Sequence, residues 1–112
     1  MKKQVADVDL SAAGGAYTTG WTQMRDTYMA HSLFSTITGN GTVSCDIYVS
    51  PTGLECIVHY TTLYSNLTAQ DKLSRLSLEA TEWIRFTFTN NSPFEDSHIE
   101  AWLVQKGKTS EV

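Results

Sequence analysis

The residues of this chain with the chemistry to catalyse or to hold a metal are three histidines, two cysteines and a few close carboxylates. His31, His59 and His98 are spread along the chain, and none lies within five residues of another. No local metal pair exists, so a shared metal would need the fold to gather three imidazoles at bond lengths of about 2 Å. Serine, histidine and aspartate are plentiful, but no G-x-S-x-G elbow presents a serine nucleophile. There is no glycine-rich phosphate loop and no G-x-G-x-x-G. Gly39-Asn40-Gly41 is a turn between strands. The residues therefore point to no catalytic site, no cofactor and no metal, and to a protein that is not an enzyme.

The densest acidic group is Glu95-Asp96, near Asn91 and His98, with Asp7 and Asp9 on one face of an expected strand. Calcium takes six to eight oxygens, and only two carboxylates are supplied locally, so solvated acids are the expectation. Cys45 and Cys56 both sit in apolar, strand-like runs. They read as two buried free thiols. A disulfide between them would depend on the register of a hairpin, which one residue of slip reverses.

Aromatic side chains carry more of the signal. Tyr48, Trp83 and Trp102 alternate with apolar residues in their strands and are expected on the outer side. Tryptophan and tyrosine are favoured in protein interfaces, and these three are the expected contact residues, together with the terminal segments. The alternative is a sugar-stacking platform, which makes a glycan a possible ligand. Asn40, Asn66 and Asn90 each open an N-x-[ST] sequence, read as chance in a chain rich in Thr and Asn.

The elements that must position these residues are strands. In Thr42–Ser50, Val43, Cys45, Ile47 and Val49 fall on one face and Ser44, Asp46 and Tyr48 on the other. Pro51-Thr52-Gly53 is a turn, and Leu54–Tyr60 is the expected return strand of a hairpin with a three- or four-residue connection. Glu82–Thr89 alternates Ile84, Phe86 and Phe88 against Trp83, Arg85 and Thr87, and Asn90-Asn91-Ser92-Pro93 breaks it. His98–Gln105 is apolar on both faces, as if covered on both sides. Val5–Leu10, Tyr17–Gln23 and Leu33–Thr38 are further strands. Thr68–Ser77 is open between a short helix and a strand. Seven or eight short strands with regular turns predict an all-β antiparallel sandwich or jelly roll, with one short helix at most.

The totals agree. A chain of 112 residues is one ordinary domain, 1–112, and 41% hydrophobic residues supply a core. Charged residues are 18%, below the roughly 25% of average domains. The net charge is −4 and no basic stripe is present, which argues against nucleic acid. Lys2–Lys3 and Lys106–Lys108 read as solvated ends. After MKKQVADVDL no apolar stretch of a signal peptide follows, and no run approaches the roughly 18 apolar residues of a membrane span.

Three segments carry a resemblance: GTVSCDIYVSPTG at 41–53, EWIRFTFT at 82–89 and IEAWLVQKG at 99–107. Together with Trp21 after a glycine-rich loop, the chain resembles small β-sandwich proteins of bacteriophage virions over roughly 80 residues, such as capsid decoration (cement) proteins or tail and spike modules. The resemblance implies a virion structural protein, made in the host cytoplasm and carried in the virion. Its implied partners are copies of itself in a symmetric homo-oligomer, with a trimer favoured, and the major capsid or other virion proteins. The segment 60–81 departs from the tightest form of the pattern. The alternative is a carbohydrate-binding β-sandwich module with Tyr48, Trp83 and Trp102 as its platform.

Overall fold

The computed structural model describes residues 2–24, 28–76 and 83–107. Among them are nine strands and no helix: β1 (Lys2–Leu10), β2 (Ala16–Thr18), β3 (Thr22–Gln23), β4 (Tyr28–Gly39), β5 (Val43–Ser50), β6 (Val58–Leu67), β7 (Gln70–Leu76), β8 (Trp83–Asn90) and β9 (Ser97–Gly107). They form two antiparallel sheets, one in the order β1-β9-β4-β7 and one in the order β2-β8-β5-β6, with β3 also pairing to β8. This is a β-sandwich, as the alternation predicts.

The core lies between the sheets and is built from alternate residues. Val43, Cys45 and Ile47 of β5 and Ile84, Phe86 and Phe88 of β8 point inward from the five-stranded sheet. Ala6 and Leu10 of β1, Leu33 and Ile37 of β4, and Ile99, Ala101 and Leu103 of β9 meet them from the other. A side-chain period of two makes each such strand half wet and half dry. β9 is central in its sheet, which is why its inner residues are fully buried. Its outer residues His98, Glu100, Trp102 and Val104 are half-buried within this chain.

Three expectations change. First, the return strand of the hairpin begins at Val58, and residues 51–57 are a loop. Ser50 and Thr52 hold that loop with their side chains. Ser50 Oγ accepts from Gly53 N at 2.9 Å and donates to Glu55 O at 2.6 Å, while Thr52 Oγ1 accepts from Leu54 N and Glu55 N. Such local bonds compete with a sheet ladder. Cys56, at φ 52, is exposed in this loop rather than buried, and both cysteines are free thiols.

Second, the strand expected over Tyr17–Gln23 is two pieces. Thr19 interrupts it, with its Oγ1 accepting from Phe86 N at 3.0 Å and so taking the place of a ladder carbonyl. Third, the segment after Thr68 resolves to strand β7, because residues 70–76 pair with Ile37–His31 of β4. Ser77 and Glu82, at the margins of two expected elements, lie outside the described residues, as do Lys108 and the C-terminal segment beyond it.

Candidate functional site

The three expected contact residues do not share one surface. Tyr48 of β5 and Trp83 of β8 point outward from the five-stranded sheet, whereas Trp102 of β9 points outward from the four-stranded sheet on the opposite side. All three are half-buried.

Around Tyr48 the strand register builds a row across the sheet. Arg85 is the cross-strand partner of Tyr48 on β8, and His59 is its partner on β6. Trp21, just before β3, lies at the far side of Arg85. The Arg85 guanidinium carbon is 4.6 Å from the centre of the Trp21 ring and 5.7 Å from that of Tyr48. The Tyr48 and His59 rings meet edge to face at 5.3 Å. In the next row, Asp46 Oδ1 accepts from Thr62 Oγ1 at 2.6 Å and lies 3.0 Å from His59 Nε2. Thr87 shares a hydrogen bond with Thr18 at 3.0 Å. Trp83 closes the row's other flank, against the loop at Gly53. The sequence marked Tyr48 and Trp83 but not Trp21 or Arg85, whose approach depends on β2 and β3 lying beside β8.

On the opposite side, Trp102 aligns with Phe34 of β4 and then Leu73 of β7. Phe34 is 45% and Leu73 48% exposed, so this is an open apolar row. The Lys2 ammonium lies 5.5 Å from the Trp102 ring and covers its β1 end.

The four sheet edges differ in kind. β1 carries Lys2, Lys3, Asp7 and Asp9, and β7 carries Asp71, Lys72 and Arg75. β2 and β3 are only three and two residues long. Charges and shortness are two of the devices by which edge strands avoid pairing with other chains, and bulges are a third. β6 has neither charge nor shortness, being ten residues long, VHYTTLYSNL, without one Asp, Glu, Lys or Arg, while its ladder to β5 shifts register at three places. Val58 is 56% exposed, and in the preceding loop Ile57 is 44% and Leu54 84% exposed. Among the described residues no strand pairs with the outer side of β6.

The histidines do not converge. His59 lies on the outside of the five-stranded sheet and His98 on the outside of the four-stranded one, while His31 Nδ1 is 3.2 Å from the buried Gln105 amide. Burial holds the His31 imidazole below its ordinary pKa. His98 is gripped by two carboxylates, with Nδ1 2.6 Å from Asp9 Oδ1 and Nε2 2.7 Å from Asp7 Oδ1. Asp9 and then Asp7 raise its pKa, since both favour the imidazolium. These contacts engage Asp7 and Asp9, two of the acids weighed for calcium, and Asp96 Oδ1 accepts from Ala12 N at 2.8 Å. Among the described residues no three His, Cys, Asp or Glu side chains are grouped to hold a metal ion. A cleft of about 450 Å³ lies beside them, lined by Asp9, Thr38, Asp96, Ser97 and His98.

No protein-family model and no curated protein matches the sequence. Solved structures do match in shape. The PBSX exported protein XepA superposes with a TM-score of 0.69 at 10% identity, covering 96% of this chain and 37% of that one. A chain of infectious bursal disease virus, Gx strain, superposes at 0.59 and 12% identity, covering 96% of this chain and 32% of that one. This chain thus spans about a third of the length of these proteins. At such identities the likeness is one of architecture, and it identifies the chain as a β-sandwich.

Proposed function

We propose that this chain is a virion structural protein of a bacteriophage, a capsid decoration protein or another capsid-associated assembly protein, working through protein–protein contacts. The observation that carries the reading is the β6 edge: long, uncharged and continuous with exposed Leu54, Ile57 and Val58. Its occupant is a second copy of this chain. An uncharged strand meets a copy of an acidic protein without like charges opposing across the ladder, and main-chain hydrogen bonds supply the pairing. Burial of Leu54, Ile57 and Val58 adds the apolar area, at roughly 25 cal/mol per Å². The sandwich shared with a virus chain and the resemblance of the 41–53, 82–89 and 99–107 segments support the virion setting.

The test is the solution mass by light scattering, with the protomer at 12.5 kDa. A stable multiple of that mass is expected, falling towards the protomer in Val58→Lys and Ile57→Lys. A clean monomer, or an oligomer indifferent to both substitutions, would overturn the assignment of β6. The virion setting is tested separately, by probing purified particles with an antibody to the chain.

A further inference from the structure

The outer face of β8, β5 and β6 holds an arginine stacked between two aromatic rings. Arg85 is clamped between the Trp21 and Tyr48 rings, at 4.6 and 5.7 Å. Its Nε is buried without a hydrogen-bond partner, and no described residue forms a hydrogen bond or ion pair with the guanidinium. A guanidinium stacked on rings is pre-oriented, and its planar fork matches a carboxylate. Asp46, in the next row, is engaged by Thr62 and His59 through Oδ1.

We propose that this face binds an acidic sugar, with the sugar carboxylate on Arg85 and its hydroxyls on the adjoining row of Asp46, Thr62 and Thr87. Two observations favour a sugar over a protein carboxylate. The row beside Arg85 is made of hydroxyls and a carboxylate, the groups that pair with sugar hydroxyls. Of the exposed apolar side chains that a protein partner would bury, Leu54, Ile57 and Val58 lie at the β6 edge and Phe34 and Leu73 on the opposite sheet. The site differs from a platform of Tyr48, Trp83 and Trp102, because Trp102 is on the other side of the molecule. It rests on Arg85 and not on the oligomer.

The experiment is an NMR titration of the full chain with the methyl glycosides of glucuronic, galacturonic and N-acetylneuraminic acid. The neutral probes are methyl glucoside and methyl galactoside, with acetate and a glutamate tetrapeptide as the other arms. At least one acidic glycoside is expected to shift the Arg85 Nε–H signal and the amides of Tyr48 and Thr62, and to bind at least about tenfold more tightly than the neutral probes. A lost charge-assisted contact corresponds to a factor of about 10–100, so Arg85→Met should erase the preference for the acidic sugar. Arg85→Lys, which keeps the charge but not the fork, should retain part of it. Thermal melts show whether each variant is folded, and Tyr48→Ala, removing one wall of the clamp, should weaken binding if Arg85→Met does not fold. Four results would overturn the proposal: no shift with any acidic glycoside at millimolar concentration, equal binding of neutral sugars, acetate binding as tightly as the sugars, or the peptide binding more tightly than all of them. None of these outcomes bears on the mass measured for the β6 assignment.

Discussion

Asn90 ends β8 with its side chain fully buried, and three hydrogen bonds radiate from its amide. Nδ2 donates to Leu10 O at 3.0 Å and to Glu95 O at 2.8 Å, and Oδ1 accepts from Ser92 N at 2.9 Å. The bond to Leu10 ties the five-stranded sheet to β1 of the other sheet. The remaining two pin the loop after β8. Replacing Asn90 with Ala strands two carbonyls and one amide, Leu10 O in a buried site and Glu95 O and Ser92 N in part-buried ones. At about 1 kcal/mol for each net bond, the expected loss is about 3 kcal/mol, more if water cannot enter. For a domain of this size that lowers Tm by about 10–15 °C. Asn90→Asp is the sharper variant. Its carboxylate would face two carbonyl oxygens without solvent, so its pKa in the folded chain rises above the usual value of about 3.9. An acid with a raised folded pKa costs least below its unfolded pKa, where the proton can donate to a carbonyl. Its cost grows as pH climbs through the folded value. Urea unfolding at pH 4 and pH 7 checks this. The reasoning fails if Asn90→Ala costs less than about 0.5 kcal/mol, or if Asn90→Asp is no more pH-sensitive than the parent.

Other outcomes follow from the same structure. His98, held by Asp9 and Asp7, should titrate by NMR above the ordinary 6.5. Its raised folded pKa gives a stabilisation that is complete below 6.5 and lost as pH rises through the folded value; Asp9→Asn with Asp7→Asn should return the titration towards 6.5 and flatten that dependence. Iodoacetamide should label exposed Cys56 in the folded chain and spare Cys45, whose thiol burial pushes far up, with mass spectrometry of digested peptides as the readout. Gly41→Ala should destabilise strongly, since a Cβ there would sit 2.5 Å from Ser97 Oγ and 2.7 Å from both Asn90 Oδ1 and Glu95 O. Gly20→Ala, with open space around it, is the control and should stay within about 0.5 kcal/mol of the parent.

The strands that need no partner to be recognised were legible in the sequence. Residues 43–50 and 84–89 alternate so regularly that their period alone selects a strand and its inner face, and the burial of Val43, Cys45, Ile47, Ile84, Phe86 and Phe88 follows that alternation. Absent motifs were also legible, because a nucleophile elbow or phosphate loop is a local pattern. Whatever depended on a distant partner was decided by the tertiary structure. Residues 70–76 lack a strong period, and pairing with β4 makes them a strand. The 51–57 loop wins over a longer strand because two hydroxyls satisfy its backbone from within. Tyr48, Trp83 and Trp102 look equivalent by alternation, yet alternation says only which side of its own sheet a residue faces. Which sheet a strand joins is set by long-range pairing, and that put Trp102 on the far side and brought Trp21 and Arg85 to Tyr48. Asn90 reads in sequence as a strand breaker. Its part as a buried tie between the sheets needs Leu10, 80 residues away, and no local pattern encodes such a partner.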